Sequence, residues 1–239
     1  MFIRTKIEED VTFKFNCFFY LLVVLFIHLA VVSCTKAPQI AEKIPPKPEI
    51  VKIPPPEPEL SKLEQWKKLV QENRYASIDK KLVSVNKFFN QFDFAEDRFL
   101  WGKDDYWATL SETLTKNGGD CEDFTIAKYF TLKDLNIPDE NMRITYVISL
   151  KTKKPHMVLT FNLNSLQEPI VLDTMNNYLF PVSKRPDLVP VYSFNKNGYW
   201  LAKKQNGWKG KRLGSATKLS LWRGLLKRME MSETLLSGS

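Results

Sequence analysis

Asn117-Gly-Gly-Asp-Cys-Glu-Asp-Phe-Thr-Ile-Ala-Lys-Tyr-Phe-Thr-Leu-Lys-Asp-Leu135 opens on a turn and continues as a helix. Asn-Gly-Gly stops the preceding segment, Asp120 is suited to the N-cap, and Cys121, Glu122 and Asp123 form an acid-rich first turn. Phe124, Ile126, Ala127, Tyr129, Phe130, Leu132 and Leu135 then cover most of the circumference, up to Asn136 and Pro138. A helix apolar nearly all round is buried on most sides, so this one is predicted to run through the centre of its domain. Cys121 stands at its first turn.

Downstream, the apolar period changes from helical to two. Ile144, Tyr146, Ile148 and Leu150 alternate, His156–Leu163 follows, and then Pro169–Asp173, which predicts three strands with short connections. Tyr178–Pro181, Val189–Tyr192 and Leu221–Leu226 suggest at least one further strand and a closing helix. Upstream, Leu63 and Trp66 begin one amphipathic helix, and Leu82, Val85, Phe89 and Phe92 mark a second; residues 101–107 read as a loop. Helices leading into an antiparallel sheet imply an α+β domain.

The ends are of another kind. Arg4, Lys6 and Lys14 precede an uncharged run of seventeen residues, Cys17–Ser33, and Val31-Val-Ser-Cys34 has the form of a bacterial lipobox. Residues 1–34 are therefore expected to be a signal peptide, a lipoprotein signal or a membrane anchor. Either reading tethers the chain to a membrane. Residues 35–60 are a proline-rich spacer, reaching roughly 70 Å at about 3.1 Å per residue in the polyproline II conformation. The folded domain is expected over 61–239. Export directs the net charge of +8 toward anionic envelope surfaces or acidic proteins rather than nucleic acid, with a plain solvated face as the simpler alternative.

With Cys17 and Cys34 assigned to the signal, Cys121 is alone in the domain and has no disulfide partner. At a helix N-terminus after a Gly-Gly turn, backbone N–H groups and the helix dipole favour a thiolate and can bind an oxyanion. His156 is the one histidine after the signal segment, and so the candidate base. Closing a hairpin at Asn164-Ser165 would set Asp173 opposite His156, where a carboxylate can orient an imidazole; Asp173 could equally cap the strand end. Asp120, Glu122 and Asp123 oppose this arrangement. A carboxylate about 6 Å away disfavours the thiolate by roughly 2–3 kcal/mol at an effective dielectric near 20. A hard cation held by these acids and by Asp104 or Asp105 would compensate, and oxygen ligands indicate calcium. The plainer reading is that the acids only favour the helix start.

Asp105-Tyr-Trp-Ala-Thr109, Gly118-Gly-Asp-Cys-Glu-Asp-Phe124 with Ala127-Lys-Tyr129, Pro155-His-Met-Val-Leu159, Val171-Leu-Asp173 and Arg185-Pro-Asp-Leu-Val-Pro190 together resemble the bacterial transglutaminase-like cysteine proteases of the LapG type. The resemblance spans Ser61 to Leu226. It implies a papain/transglutaminase-like fold, a Cys121–His156–Asp173 triad, and calcium bound near Asp120, Glu122 and Asp123 with Asp105 contributing. It further implies a periplasmic protease that cleaves the N-terminal region of a large surface adhesin, controlling biofilm attachment and dispersal, and that is restrained by a LapD-type inner-membrane cyclic di-GMP receptor. Leu110 stands where the family motif usually has proline, and a lipobox with a long spacer is not part of the usual soluble enzyme. A transglutaminase-type acyl transfer to an amine would use the same triad, and a non-enzymatic envelope module would need none.

Overall fold

The computed structural model describes residues 60–164, 168–202, 208 and 210–237, all within the unit Pro56–Ser239. The expected signal or anchor, and all but the last residue of the expected spacer, lie outside the described residues. Among the described residues no helix is long and apolar enough to cross a membrane.

Helix α1, Lys62–Asn73, starts at a Ser61–Glu64 capping box, and α2, Ile78–Phe89, starts at Ser77. Leu82, Val85 and Phe89 form the buried stripe of α2, as their spacing predicts, whereas Phe92, expected to continue it, lies buried beyond the helix end at Phe89. Two short helices, α3 (Asp97–Leu100) and α4 (Leu110–Lys116), flank the loop that carries Trp101–Trp107. Neither is among the expected elements. Helix α4 begins at a second capping box, Thr109 with Glu112, and ends where Asn117 takes a left-handed conformation at φ 52°. Leu110 occupies its first helical position, the one interior site where proline is also well tolerated, so the departure from the family motif leaves the helix intact.

Helix α5, Cys121–Asp134, is buried along most of its length: Phe124, Ile126, Ala127, Tyr129 and Leu132 are at most 3% exposed. Full burial of a Phe, Ile or Leu side chain contributes about 1.5–3 kcal/mol. Asp120 holds the N-cap position but makes no side-chain capping bond, contrary to expectation. Its carboxylate is turned into the acidic cluster described below.

The expected three strands are β3 (Met142–Ser149), β4 (Lys154–Phe161) and β5 (Ile170–Asp173). Four more follow: β6 (Asn176–Pro181), β7 (Leu188–Asn195), β8 (Gly198–Leu201) and β9 (Lys211–Gly214). They form one antiparallel sheet in the order β6-β5-β4-β3-β7-β8-β9. Asp93–Phe94 (β1) and Gly118–Gly119 (β2) make a separate parallel pair that leads the chain into α5. Helix α5 packs mainly on β4 and α2. The closing helix α6, Ser220–Ser237, buries Trp222 completely, stacked on Phe130 at 5.8 Å. The result is the expected α+β arrangement, a central helix on an antiparallel sheet.

Candidate active site

Cys121 and His156 line one cleft of about 460 Å³, together with Phe89, Phe92, Phe94, Phe124 and Met175. Helix α5 delivers the thiol at its first turn and β4 delivers the imidazole. Thr125 ties the two elements together: its hydroxyl lies 2.7 Å from the Cys121 carbonyl and 3.0 Å from that of Met157.

The hairpin register differs from expectation. Leu159 faces Leu172, where a two-residue loop would have set it opposite Ile170, because the connection after Phe161 is longer than Asn164-Ser165. The slide of two residues preserves the face. Asp173 falls level with Val158, diagonal to His156, and the imidazole spans the gap: Nε2 lies 2.7 Å from Asp173 Oδ1. Met175 N–H donates to the same oxygen at 3.0 Å, and Arg185 Nη2 donates to Oδ2 at 2.7 Å. Burial pushes the Asp173 carboxyl up, but the bonds from His156, Met175 and Arg185 outweigh it and hold the group well below the usual carboxylate range. With Nε2 engaged, Nδ1 is the ring nitrogen left to exchange a proton.

Arg185 has no role that the sequence alone assigns. It is buried, and its guanidinium forks between Asp173 and Asp187, with bonds of 2.9 and 2.8 Å to the latter. Nothing in its local pattern indicates a buried partner twelve residues back.

The thiol donates to Glu122 Oε2 at 2.9 Å. Burial, the Glu122 charge and that bond, and then Asp120 push the Cys121 thiol far up, against a smaller opposing contribution from Met157 N–H. With these acids ionised and uncompensated, the thiol keeps its proton.

The acids sort into two groups. Carboxylate oxygens of Asp97, Asp120 and Glu122 all lie within 4.8 Å of one another. Asp97, from α3, is a member that sequence reasoning missed. Asp105 is exposed on the rim of the same hollow, and Asp104 pairs with Arg98 at 2.7 Å. Asp123 instead is fully buried, accepts Ala108 N–H at 2.7 Å, and sits under Gly119, where a Cβ would come within 2.7 Å of its side chain.

Burial, then Glu122, Asp123 and Asp97, push Asp120 up to about 9; burial, opposed by the Ala108 N–H bond, leaves Asp123 at about 7. Burial likewise raises Asp97, against one bond from Tyr106 N–H. Asp97 Oδ1 and Asp120 Oδ1 are buried without a hydrogen-bond partner. Unpartnered hard oxygens crowded into one hollow fit a calcium ion: the donors are of the right chemistry, and a cation would relieve their repulsion.

Residues 60–206 match the family described as bacterial transglutaminase-like cysteine proteinase, BTLCP. LapG of Legionella pneumophila in its EGTA-treated form is 40% identical with a TM-score of 0.64, covering 70% of this chain and 88% of that chain. Its calcium-bound form is 41% identical with a TM-score of 0.62, covering 70% and 89%. No curated protein matches this chain.

Proposed function

This chain belongs to the bacterial transglutaminase-like cysteine proteinases, and from that premise we propose that it is a calcium-dependent endopeptidase in which Cys121 is the nucleophile, His156 the acid–base and Asp173 the orienting carboxylate. The observation that carries this reading is the chain Arg185–Asp173–His156, with bonds of 2.7 and 2.7 Å, opening onto the cleft that holds Cys121.

His156 Nδ1 accepts the thiol proton, and the sulfur attacks the scissile carbonyl carbon. Backbone N–H groups at the start of α5 receive the charge on the carbonyl oxygen. Imidazolium then protonates the leaving amine as the C–N bond breaks, giving a thioester. Water, losing its proton to His156, hydrolyses it and returns the thiol. Asp173, ionised and held by Arg185, stabilises the imidazolium and fixes its ring.

Asp97, Asp120 and Glu122 would hold calcium, with Asp105 at the rim, and the ion supplies the positive charge that offsets the carboxylates penalising the thiolate. The calcium-bound LapG structure supports this.

The substrate is proposed to be the N-terminal region of a large surface adhesin, whose release disperses biofilm. The enzyme would work in the periplasm, tethered through its N-terminal anchor or lipid and restrained by a LapD-type cyclic di-GMP receptor. Comparing adhesin release from cells carrying wild type and Cys121→Ala tests this, alongside the purified enzyme with calcium or EGTA. New N-termini in the adhesin, lost with Cys121→Ala and with EGTA, are expected. Incorporation of an added amine without chain cleavage would point to acyl transfer instead.

A further inference from the structure

Lys128 lies two turns beyond Cys121 on α5 and is completely buried. Its ammonium donates to Asn86 Oδ1 at 2.9 Å and to Asn90 Oδ1 at 2.7 Å, neutral amides of α2 and of the residue that caps its C-terminus. Those amides spend their own N–H groups on the turn between β5 and β6. Asn86 Nδ2 donates to the Asn176 carbonyl at 2.9 Å. Asn90 Nδ2 reaches the Asp173 carbonyl at 3.0 Å, the Asn176 carbonyl at 3.2 Å and Asn177 Oδ1 at 2.9 Å.

A charge buried on amides alone is unfavourable, and a side chain needed only for volume would be better apolar. Burial lowers the Lys128 ammonium and the charge of Asp173 pulls it part of the way back, leaving it at about 7. The segment it secures carries both the orienting carboxylate and Met175, whose N–H binds Asp173 Oδ1.

We propose that Lys128 is a positioning residue of the catalytic site: its ammonium aligns Asn86 and Asn90 to grip the Asp173–Asn177 turn, so that Asp173 stays aimed at His156 Nε2. This rests on the triad reading given above. Lys128 does not touch the reacting atoms; it acts through two amides and a turn.

The test uses the full chain with calcium. Lys128→Met keeps the length of the side chain and deletes the charge; Asn90→Ala keeps Lys128 and cuts the link to the turn at a half-buried position. Two readouts respond to the aim of Asp173 rather than to folding alone. One is the downfield proton NMR signal of His156 Nε2–H, assigned by its loss in His156→Gln. The other is the rate at which iodoacetamide alkylates the Cys121-containing peptide at neutral pH.

In both variants the proton signal is expected to move upfield or vanish, and alkylation to slow about tenfold. Folded variants that keep the wild-type signal and rate overturn the inference. If Lys128→Met does not fold, Asn90→Ala decides by the same two readouts. A wild type with no downfield proton, and with alkylation unaffected by His156→Gln, would instead sink the triad reading, and this inference with it.

Discussion

Cys121 sits between opposing influences. The start of α5 and Met157 N–H favour the thiolate, while burial, Glu122 and Asp120 disfavour it. The 2.9 Å bond to Glu122 makes that carboxylate the first determinant to vary. Chelating calcium is expected to slow alkylation of Cys121 by at least about tenfold, since one carboxylate at close range contributes roughly 2–3 kcal/mol. Glu122→Gln in calcium-free protein should recover part of that rate and lose most of the response to calcium; an unchanged rate under chelation would show that the acids do not control the thiol. On the opposite side of the cleft, Asp173→Asn removes the charge that stabilises the imidazolium. A fall in kcat of roughly two to four orders of magnitude is expected with little change in KM, by analogy with the serine-protease triad. Cys121 and His156 are legible because they are scarce, one cysteine and one histidine beyond residue 34, whereas Asp173 follows from the face it shares with His156 across the hairpin. Arg185 is not legible. An arginine before a proline reads as surface, and its burial against Asp173 exists only once β5 and the following loop are in place.

At the level of elements, length decided what could be read. Helix α5 and the alternating strand β3 carry enough apolar positions to fix their period and their faces. Helices α3 and α4 span 4 and 7 residues, too few for periodicity to register. The Thr109-x-x-Glu112 pattern was present and would have marked the start of α4. Missing α3 meant missing Asp97, because nothing in the spacing between Asp97 and Asp120 reveals that two carboxylates meet. The β4–β5 register was misjudged for a related reason: a weak turn sequence does not fix loop length, and only the shared face survived the slide. Two substitutions test these joints. Thr109→Ala removes the hydroxyl that receives Glu112 N–H at 3.2 Å and should cost about 1 kcal/mol in urea unfolding. Gly119→Ala brings a methyl group within 2.7 Å of Asp123, which is itself pinned by Ala108 N–H. A loss of about 1–3 kcal/mol is expected, with weaker calcium binding as the start of α5 shifts; wild-type stability in this variant would mean that Asp123 moves freely.

For the whole molecule the acidic hollow makes stability a joint function of pH and calcium. Asp120 at about 9 and Asp123 at about 7 are raised above their unfolded value of about 4, and Asp97 is raised too. In the absence of calcium such groups bind protons in the folded state that the unfolded chain has already released. Their contribution is fully present below about pH 4 and is lost as pH rises through the folded values. Lys128, lowered to about 7, acts oppositely: its burial destabilises while the unfolded lysine is charged, and that penalty is relieved as pH rises from about 7 toward 10. The calcium-free protein should therefore lose stability most clearly between about pH 4 and 7, with a shallower slope above. Calcium binds only the ionised carboxylates, so its stabilisation, RT ln(1 + [Ca]/Kd), grows as protons cease to compete. Thermal unfolding in EGTA and in excess calcium, at pH 5, 6, 7 and 8, should give Tm values that diverge as pH rises. The Asp97→Asn variant should narrow that divergence by weakening calcium binding and lowering the repulsion it relieves. A calcium increment that is the same at every pH would mean that the raised carboxylates are not the ones the ion engages.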